Sequence, residues 1–233
     1  VICSKEFIMG YYGIGQSVRR DEDPRLLEGR GSYAGDVTLP RQSYAYFLRS
    51  PHAHAEITNL DVSTARQAPG VLNIFIGEDV AADNLGTPGM VAKRKRPDGA
   101  DMWAPPQTPL ALGRVRYVGD PIALVVAESV DQAKSAAEMI DISFNPLPSV
   151  TDTAQTIAPG SPAVWDECPD NISHIHETGD KNGTDEAFKN AATIVKRRFV
   201  ITRVHAQFME PRGVNAEYDE RGERYTLYAD VQY

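Results

Sequence analysis

Residues 122–146 read IALVVAESVDQAKSAAEMIDISFNP and carry the clearest strand–helix–strand pattern of the chain. The run 122–127 is continuously apolar, which is typical of a strand buried on both faces. Ser129 or Asp131 then offers an N-cap for a helix whose alanines recur at three- and four-residue spacing. Alternation over 140–144 predicts a second strand, and the two strands should lie parallel if they share a sheet.

The preceding part of the chain predicts a further unit of strands and one helix. Residues 44–49 and 55–60 have the aromatic and β-branched content of strands. A short helix is expected over 64–67, followed by a third strand over 71–76. Residues 77–113 are rich in proline and turn formers, so we expect a long covering loop there.

Beyond residue 150 the hydrophobic pattern of helices and strands is less clear. Residues 151–183 hold several Pro and Gly and predict a linker between domains. Thr184 or Asp185 is the expected cap of a short helix, and the β-branched run 193–208 predicts a long strand. Residues 213–229 predict a hairpin. Because the last sheet has few strands within this sequence, we expect a truncated final domain.

Composition limits the class of protein. The chain has 233 residues, 42% of them hydrophobic and 24% charged, which suits one large or two small globular domains. A formal net charge of −8 argues against nucleic acid as the main partner. No apolar run is long enough for a membrane span, and Cys3 and Cys168 form no Cys-x-x-Cys pair. These features predict a cytoplasmic protein in a reducing compartment.

Candidate sites read from residue chemistry alone are weak. His52 and His54 share one face of an extended segment and could hold a metal, but a structural role is favoured because no third ligand is near. The basic run 93–96 predicts a solvated loop rather than a phosphate site. Gly13-Ile14-Gly15 lacks the rest of a dinucleotide fingerprint. Chemistry alone therefore indicates only an α/β protein.

Short phrases spread along the chain point to a known family. They are, in order, GQSVRR (15–20), EDPRLL (22–27), GRGSY (29–33), LRSPHAHA (48–55), APGV (68–71), VRYVGDPIA (115–123), LPSV (147–150), MEPRG (209–213) and VQ (231–232). Each phrase is weak alone, but their order and joint coverage are specific. The chain resembles the molybdenum-cofactor-binding large subunit of the xanthine oxidase family, which includes aldehyde oxidoreductases and aerobic carbon monoxide dehydrogenase.

The resemblance implies a fold class and domain boundaries. The class is α/β (α+β), with an α/β hammerhead domain followed by the beginning of a molybdopterin-binding domain. The implied boundaries are an N-terminal extension over 1–28, the hammerhead over 29–150, a linker over 151–183 and the truncated cofactor domain over 184–233. The chain would then be an N-terminal fragment of the subunit.

The resemblance also implies a chemistry. Members of the family hydroxylate C–H bonds of aldehydes or N-heterocycles with oxygen from water at a molybdenum–molybdopterin cofactor, or oxidise CO. Gln232 matches the family's glutamine that binds an oxo ligand or the pterin. The catalytic glutamate base and the glycine-rich loop should lie beyond residue 233, so this fragment should be inactive alone. Glu210 belongs to an earlier motif and is expected to pair with an arginine.

The resemblance also implies partners, because members of the family pass electrons through two iron–sulfur clusters and usually on to a flavin. Two cysteines cannot ligate an iron–sulfur cluster, so the iron–sulfur clusters and FAD should lie on other subunits or domains. The expected partners are the remainder of the large subunit, an iron–sulfur subunit and a flavin subunit in an oligomer. Two alternatives stay open: a cofactor-free hammerhead scaffold or assembly module without catalysis, and a metal-binding protein that uses His52 and His54.

Overall fold

The computed structural model describes residues 20–88, 93–96, 98–201, 204–205, 210 and 212–230. Contacts divide the chain into two compact units. The larger unit is Arg41–Phe199, and the smaller unit combines Val1–Pro40 with Val200–Tyr233.

The described residues form short helices and short strands. In chain order they are α1 (Asp23–Leu27), a 3₁₀ turn (Ala34–Asp36), β1 (Tyr44–Arg49), β2 (Ala55–Asp61), α2 (Ser63–Arg66), β3 (Val71–Ile76), α3 (Gly77–Ala82), β4 (Arg114–Val115), β5 (Pro121–Ala127), α4 (Val130–Glu138), β6 (Asp141–Pro146), α5 (Lys181–Asn190), β7 (Val214–Asp219) and β8 (Arg224–Ala229). The strands predicted over 44–49, 55–60, 71–76 and 122–127 are confirmed, as is the C-terminal hairpin.

Two three-stranded antiparallel sheets build the larger unit. The first has the strand order β1-β5-β3, and the second has the order β4-β2-β6. The central strand β5 is the apolar run identified from the sequence, and it has no polar face because separate apolar clusters cover its two faces. Since β5 and β6 lie in different sheets, the crossover between them does not produce a parallel pair.

The main core lies between the first sheet and helix α4. Ser129 caps this helix by accepting a hydrogen bond from the backbone N–H of Gln132 at 3.3 Å, as one of the two predicted caps. The small alanine side chains of the buried helix face allow a close approach to the sheet. The fully or nearly fully buried members of this core are Ala65, Ile74, Ala123, Val125, Ala127, Ala133, Ala136, Ala137 and Ile140.

A second apolar cluster joins the other sheet to the end of β5. It consists of Ala55, Ala111, Val115 and Ile122, all buried. Ile122 lies on the opposite face of β5 from Val125, so the strand is packed on both sides. The predicted α/β class with strand–helix–strand units agrees with this arrangement, in which α4 packs on the first sheet and the second sheet packs against the start of β5.

Three predictions of local structure differ from the observed elements. Helix α3 occupies the beginning of the predicted loop 77–113. Helix α5 begins at Lys181, before the predicted cap, because Asp180 accepts a hydrogen bond from the Gly183 N–H at 2.9 Å. The described part of 193–208 forms no strand: Phe199 and Ile201 are 84% and 93% exposed, without a strand beside them among the described residues.

The smaller unit is built on the hairpin of β7 and β8. Its register pairs Val214 with Ala229 and Asp219 with Arg224. The side-chain amide of Asn215 in β7 donates to the carbonyl oxygens of Ala34 and Val37 at 3.1 and 2.8 Å. The 3₁₀ turn is therefore fixed against one face of the hairpin.

Candidate functional site

The predicted cofactor ligand Gln232 lies outside the described residues, but the structure shows what holds the chain just before it. The backbone N–H of Gly213 donates to the Asp230 carboxylate at 3.1 Å. This bond joins the entrance of β7 to the exit of β8, which are already paired through Val214 and Ala229. Asp230, the last residue before 231–233, is thus held at the open end of the hairpin.

Glu210 has a backbone partner in this unit. Its Oε1 atom accepts a hydrogen bond from the backbone N–H of Ala34 at 2.9 Å. Among the described residues Glu210 makes no ion pair with an arginine, so the predicted pairing is not found there. A carboxylate bonded to the first N–H of a 3₁₀ turn is stabilised by the orientation of the peptide dipoles. Glu210 therefore has a structural role in this structure.

Some of the family-like phrases contact one another within each of the two units. Within the smaller unit, Glu210 of the phrase at 209–213 contacts Ala34, the residue that follows the phrase at 29–33. The phrases at 48–55 and 115–123 meet through reciprocal backbone bonds: Ser50 N–H donates to the Asp120 oxygen at 2.9 Å, and Gly119 N–H donates to the Ser50 oxygen at 2.8 Å. Gly119 has a φ of +93°, a conformation that favours glycine.

The histidine pair that could have held a metal serves packing and backbone bonding. His54 is 8% exposed, and its Nδ1 atom lies 2.9 Å from the Pro148 carbonyl oxygen. Because a carbonyl only accepts, Nδ1 carries the proton and the buried Nε2 is left without a hydrogen-bond partner. His52 instead packs its ring 4.8 Å from the Phe144 ring. Among the described residues no group of three His, Cys, Asp or Glu could hold a metal ion.

Residues 161–176, which we call the strap, lie within the segment predicted as a linker and are hydrogen-bonded to other parts of the larger unit. Trp103 N–H donates to the Ser173 oxygen at 3.0 Å, and the Ser173 hydroxyl donates to the Trp103 oxygen at 2.7 Å. Arg96 donates to the Ile172 oxygen and to the Asp170 carboxylate. Main-chain and side-chain bonds thus hold the strap at several points.

Two arginines hold the first half of the strap. The guanidinium of Arg116 stacks on the ring of Trp165 and donates through Nε to the Val164 oxygen at 3.3 Å. Burial lowers the pKa of Arg116, and the nearby Arg114 lowers it further. Arg114 itself lies 3.1 Å from the Asp166 carboxylate and 3.4 Å from the Glu56 carboxylate.

The basic run 93–96 is only partly a solvated loop. Lys95 pairs with Asp101 at 2.6 Å on the surface, as the prediction requires. Arg96 does not fit the prediction of a solvated loop, because its side chain is only 18% exposed. Its Nη1 atom lies 3.6 Å from the Sγ atom of the buried Cys168. This contact raises the pKa of Arg96. Sequence reasoning missed the strap; its only signal was Trp165 in a stretch otherwise rich in Pro and Gly.

Comparison with known proteins gives the class that this arrangement represents. Residues 28–148 match the family described as aldehyde oxidase and xanthine dehydrogenase, a/b hammerhead domain. Residues 164–233 match the molybdopterin cofactor-binding domain. The chain belongs to the aldehyde oxidase and xanthine dehydrogenase family, so the predicted family and fold class are confirmed.

Individual relatives agree with this assignment. The chain is 37% identical over 219 residues to the nicotine 6-hydroxylase large subunit of Paenarthrobacter nicotinovorans, covering 94% of this chain and 26% of the relative. It is 31% identical over 232 residues to the carbon monoxide dehydrogenase large chain of Afipia carboxidovorans, covering 94% and 27%. The crystal structure of quinoline 2-oxidoreductase from Pseudomonas putida 86 superposes with a TM-score of 0.76 at 34% identity, covering 92% and 26%.

The chain thus spans about a quarter of the length of the relatives that it matches. The molybdopterin match supports molybdenum–molybdopterin as the cofactor of the family's large subunits. One further relative, from Paenarthrobacter nicotinovorans, is named as the gamma subunit of the 6-hydroxypseudooxynicotine dehydrogenase complex, and the two relatives above are named as a large subunit and a large chain. Among the described residues no helix is suited to crossing a membrane.

Proposed function

We propose that this chain is part of the molybdenum-cofactor-binding subunit of an oxidoreductase that uses water to hydroxylate C–H bonds of aldehydes or N-heterocycles, or that oxidises CO. The observation that carries the proposal is the tandem match: a hammerhead domain over 28–148 is followed by a molybdopterin cofactor-binding domain over 164–233. Neither match alone would connect the fold to the cofactor. The substrate class stays open among these three, since relatives of each kind are similar to this chain.

The residues near the end of the chain fit such a cofactor. Gln232 has a side-chain amide that can both donate and accept, which suits an oxo group or a pterin ring. The Gly213–Asp230 hydrogen bond fixes the backbone at Asp230, two residues before Gln232. A chain that is already held at this point loses less conformational entropy when it binds a cofactor. When bound, the molybdenum would supply a Lewis acid and an acceptor of two electrons. Gln232 would orient the group, and the proton-abstracting base would lie outside these 233 residues.

We propose the remaining organisation on the same basis. The boundaries are 1–28 for the extension, 29–150 for the hammerhead, 151–183 for the connecting segment and 184–233 for the cofactor domain. The matched ranges support the hammerhead boundaries most directly. Iron–sulfur clusters and FAD would lie on partner subunits or other domains of an oligomeric, cytoplasmic enzyme. A buried, unpaired Cys168 thiol suits a reducing compartment.

The test is to measure molybdenum by elemental analysis and pterin by fluorescence in the full-length purified subunit, with its intact mass determined on the same sample. About one molybdenum and one pterin per subunit are expected. The variant Gln232→Ala should lower cofactor content or turnover, whereas Gln107→Ala, at an exposed loop position, should not. A folded full-length subunit without molybdenum or pterin would refute the proposal and favour a cofactor-free hammerhead scaffold.

A further inference from the structure

The hairpin of β7 and β8 has two chemically different faces. Paired residues of an antiparallel ladder point to the same side, and alternate positions along each strand share that side. One side therefore carries Val214, Ala216, Tyr218, Tyr225, Leu227 and Ala229, which we call the apolar hairpin face. The other side carries Asn215, Glu217, Asp219, Arg224, Thr226 and Tyr228.

The more polar side already has a neighbour within the smaller unit. Asn215 donates to the carbonyl oxygens of Ala34 and Val37, and the 3₁₀ turn packs against β7. Asn215 and Thr226 are accordingly partly buried. A hairpin that folds by itself would cover its apolar side and leave its polar side in water. Here the side with fewer apolar groups is the covered one.

The apolar hairpin face is open to solvent. Val214 and Leu227 are each 65% exposed, Tyr225 is 71% exposed and Tyr218 is 49% exposed. The two tyrosine rings are in contact, with their centroids 4.6 Å apart and their planes tilted by 33°, and this pair extends the apolar surface toward the turn of the hairpin. No charged side chain lies on this face. Such a contiguous apolar surface marks a site where another element packs.

We propose that the apolar hairpin face is the inner surface of a core whose second layer is the part of the same subunit that lies outside these 233 residues. This inference rests on the proposed function, and it names the partner for one specific surface. The relatives are about four times as long as this chain, so most of their polypeptide can supply that layer. The hairpin also lies inside the range matched by the molybdopterin cofactor-binding domain.

The chemistry of the face favours a covalently continuous partner over a separate protein. Surfaces that recognise a separate soluble protein combine an apolar centre with a polar rim, and they must stay soluble when the partner is absent. This face has no charged position in either strand, as expected for the interior of one domain. A two-stranded hairpin is only marginally stable in water, so it needs a covering layer. The layer should present aliphatic side chains in the space above Leu227 and Ala216.

Amide hydrogen exchange tests this in two samples, the 233-residue chain and the full-length subunit. Residues 214–218 and 225–229 should exchange at least about tenfold more slowly in the full-length subunit. Leu227→Gln, on the apolar hairpin face, should remove most of that difference. Glu217→Gln, on the opposite face, introduces the same side chain and should leave it intact. The comparison of the two wild-type samples stands even if Leu227→Gln fails to fold.

Several results would overturn the inference. Equal exchange in the two wild-type samples would show that nothing outside the chain covers the face. A dimer of the 233-residue chain that Leu227→Gln converts to monomer, seen by sedimentation, would assign the face to a second copy. Molybdenum and pterin are measured on the full-length sample as well. Bound cofactor with an unprotected hairpin would contradict only this inference, whereas slow exchange without cofactor would contradict only the proposed function.

Discussion

The guanidinium carbon of Arg116 lies 3.5 Å from the centroid of the Trp165 ring. This stacking joins the residue that follows β4 to the strap, more than forty residues further along the chain. The distance is short for such a contact, and both partners are partly buried, which strengthens the attraction between the cation and the ring. Trp103 adds a second aromatic neighbour at 6.3 Å from Trp165.

Replacing Trp165 should release the strap. Trp165→Ala should lower the free energy of unfolding of the larger unit by about 2–3 kcal/mol, since it removes both apolar burial and the stacking partner of Arg116. Arg116→Lys, which keeps the charge but loses the planar group, should cost only about 1 kcal/mol. Urea denaturation followed by circular dichroism measures both values. Unchanged unfolding and unchanged proteolysis of residues 161–176 in Trp165→Ala would show that the strap is held by its other bonds alone.

Gly77 should not tolerate a side chain. A Cβ atom added there would lie 2.2 Å from the backbone oxygen of Ala111, and backbone cannot move aside as a flexible side chain can. Gly77→Ala should therefore destabilise the larger unit by about 2–3 kcal/mol through overpacking at the start of α3. Gly35→Ala is the control, because an added Cβ has no atom within 4 Å there. A midpoint of thermal unfolding for Gly77→Ala equal to that of the unsubstituted chain would disprove the close approach.

The sequence predicted the elements whose signals are local. The apolar run of β5, the Ser129 cap and the turn of the C-terminal hairpin depend on neighbouring residues, and all three are present. Sheet partners were not predictable, because β5 pairs with β1 and β3 through contacts between residues distant in sequence. The family and its cofactor came from resemblance, not from residue chemistry.

The strap shows why the rest could not be predicted. A stretch rich in Pro and Gly has no hydrophobic periodicity that would predict a helix or strand. The positions of Arg96 and Trp165 in the sequence do not indicate which residues they contact. The bonds from Arg96 to Asp170 and from Trp103 to Ser173 span some seventy residues, so only the fold creates them. The described part of the run 193–208, residues 193–201 and 204–205, forms no strand for a different reason: β-branched residues favour a strand, but a strand also needs a neighbour to complete its hydrogen bonds.

Asn215 should determine whether the 3₁₀ turn stays on the hairpin. Its amide donates to two carbonyl oxygens, of Ala34 and Val37, and a carboxylate at this position could only accept. Asn215→Asp should therefore cost about 2 kcal/mol, since it loses two hydrogen bonds and places a negative charge beside two oxygens. Asn182→Asp, on the exposed surface of α5, serves as the control. Hydrogen exchange at residues 33–37 reports the effect, and equal exchange in Asn215→Asp and the unsubstituted chain would contradict it.

Asp120 should make the larger unit less stable as the pH rises above 3.8. Burial raises the pKa of this carboxyl, and the hydrogen bonds from the Arg116 N–H and the Tyr117 hydroxyl and the charge of Arg116 offset the rise only in part. An acid with a raised pKa binds its proton more tightly in the folded state. Its stabilising contribution is therefore complete below the unfolded value of 3.8 and is lost as the pH rises through the folded pKa.

The matched variants Asp120→Asn and Asp101→Asn test this sign. Asp120→Asn keeps an oxygen that can accept from the Arg116 N–H, so its stability relative to the unsubstituted chain should increase as the pH rises from 3.8 toward neutrality. Asp101→Asn should show the opposite slope, because the hydrogen bond and charge of Lys95 lower the pKa of Asp101, and the stability this provides is lost as the pH falls below 3.8. Urea denaturation at a series of pH values measures both differences. Parallel slopes for the two variants would show that the burial of Asp120 does not control its protonation.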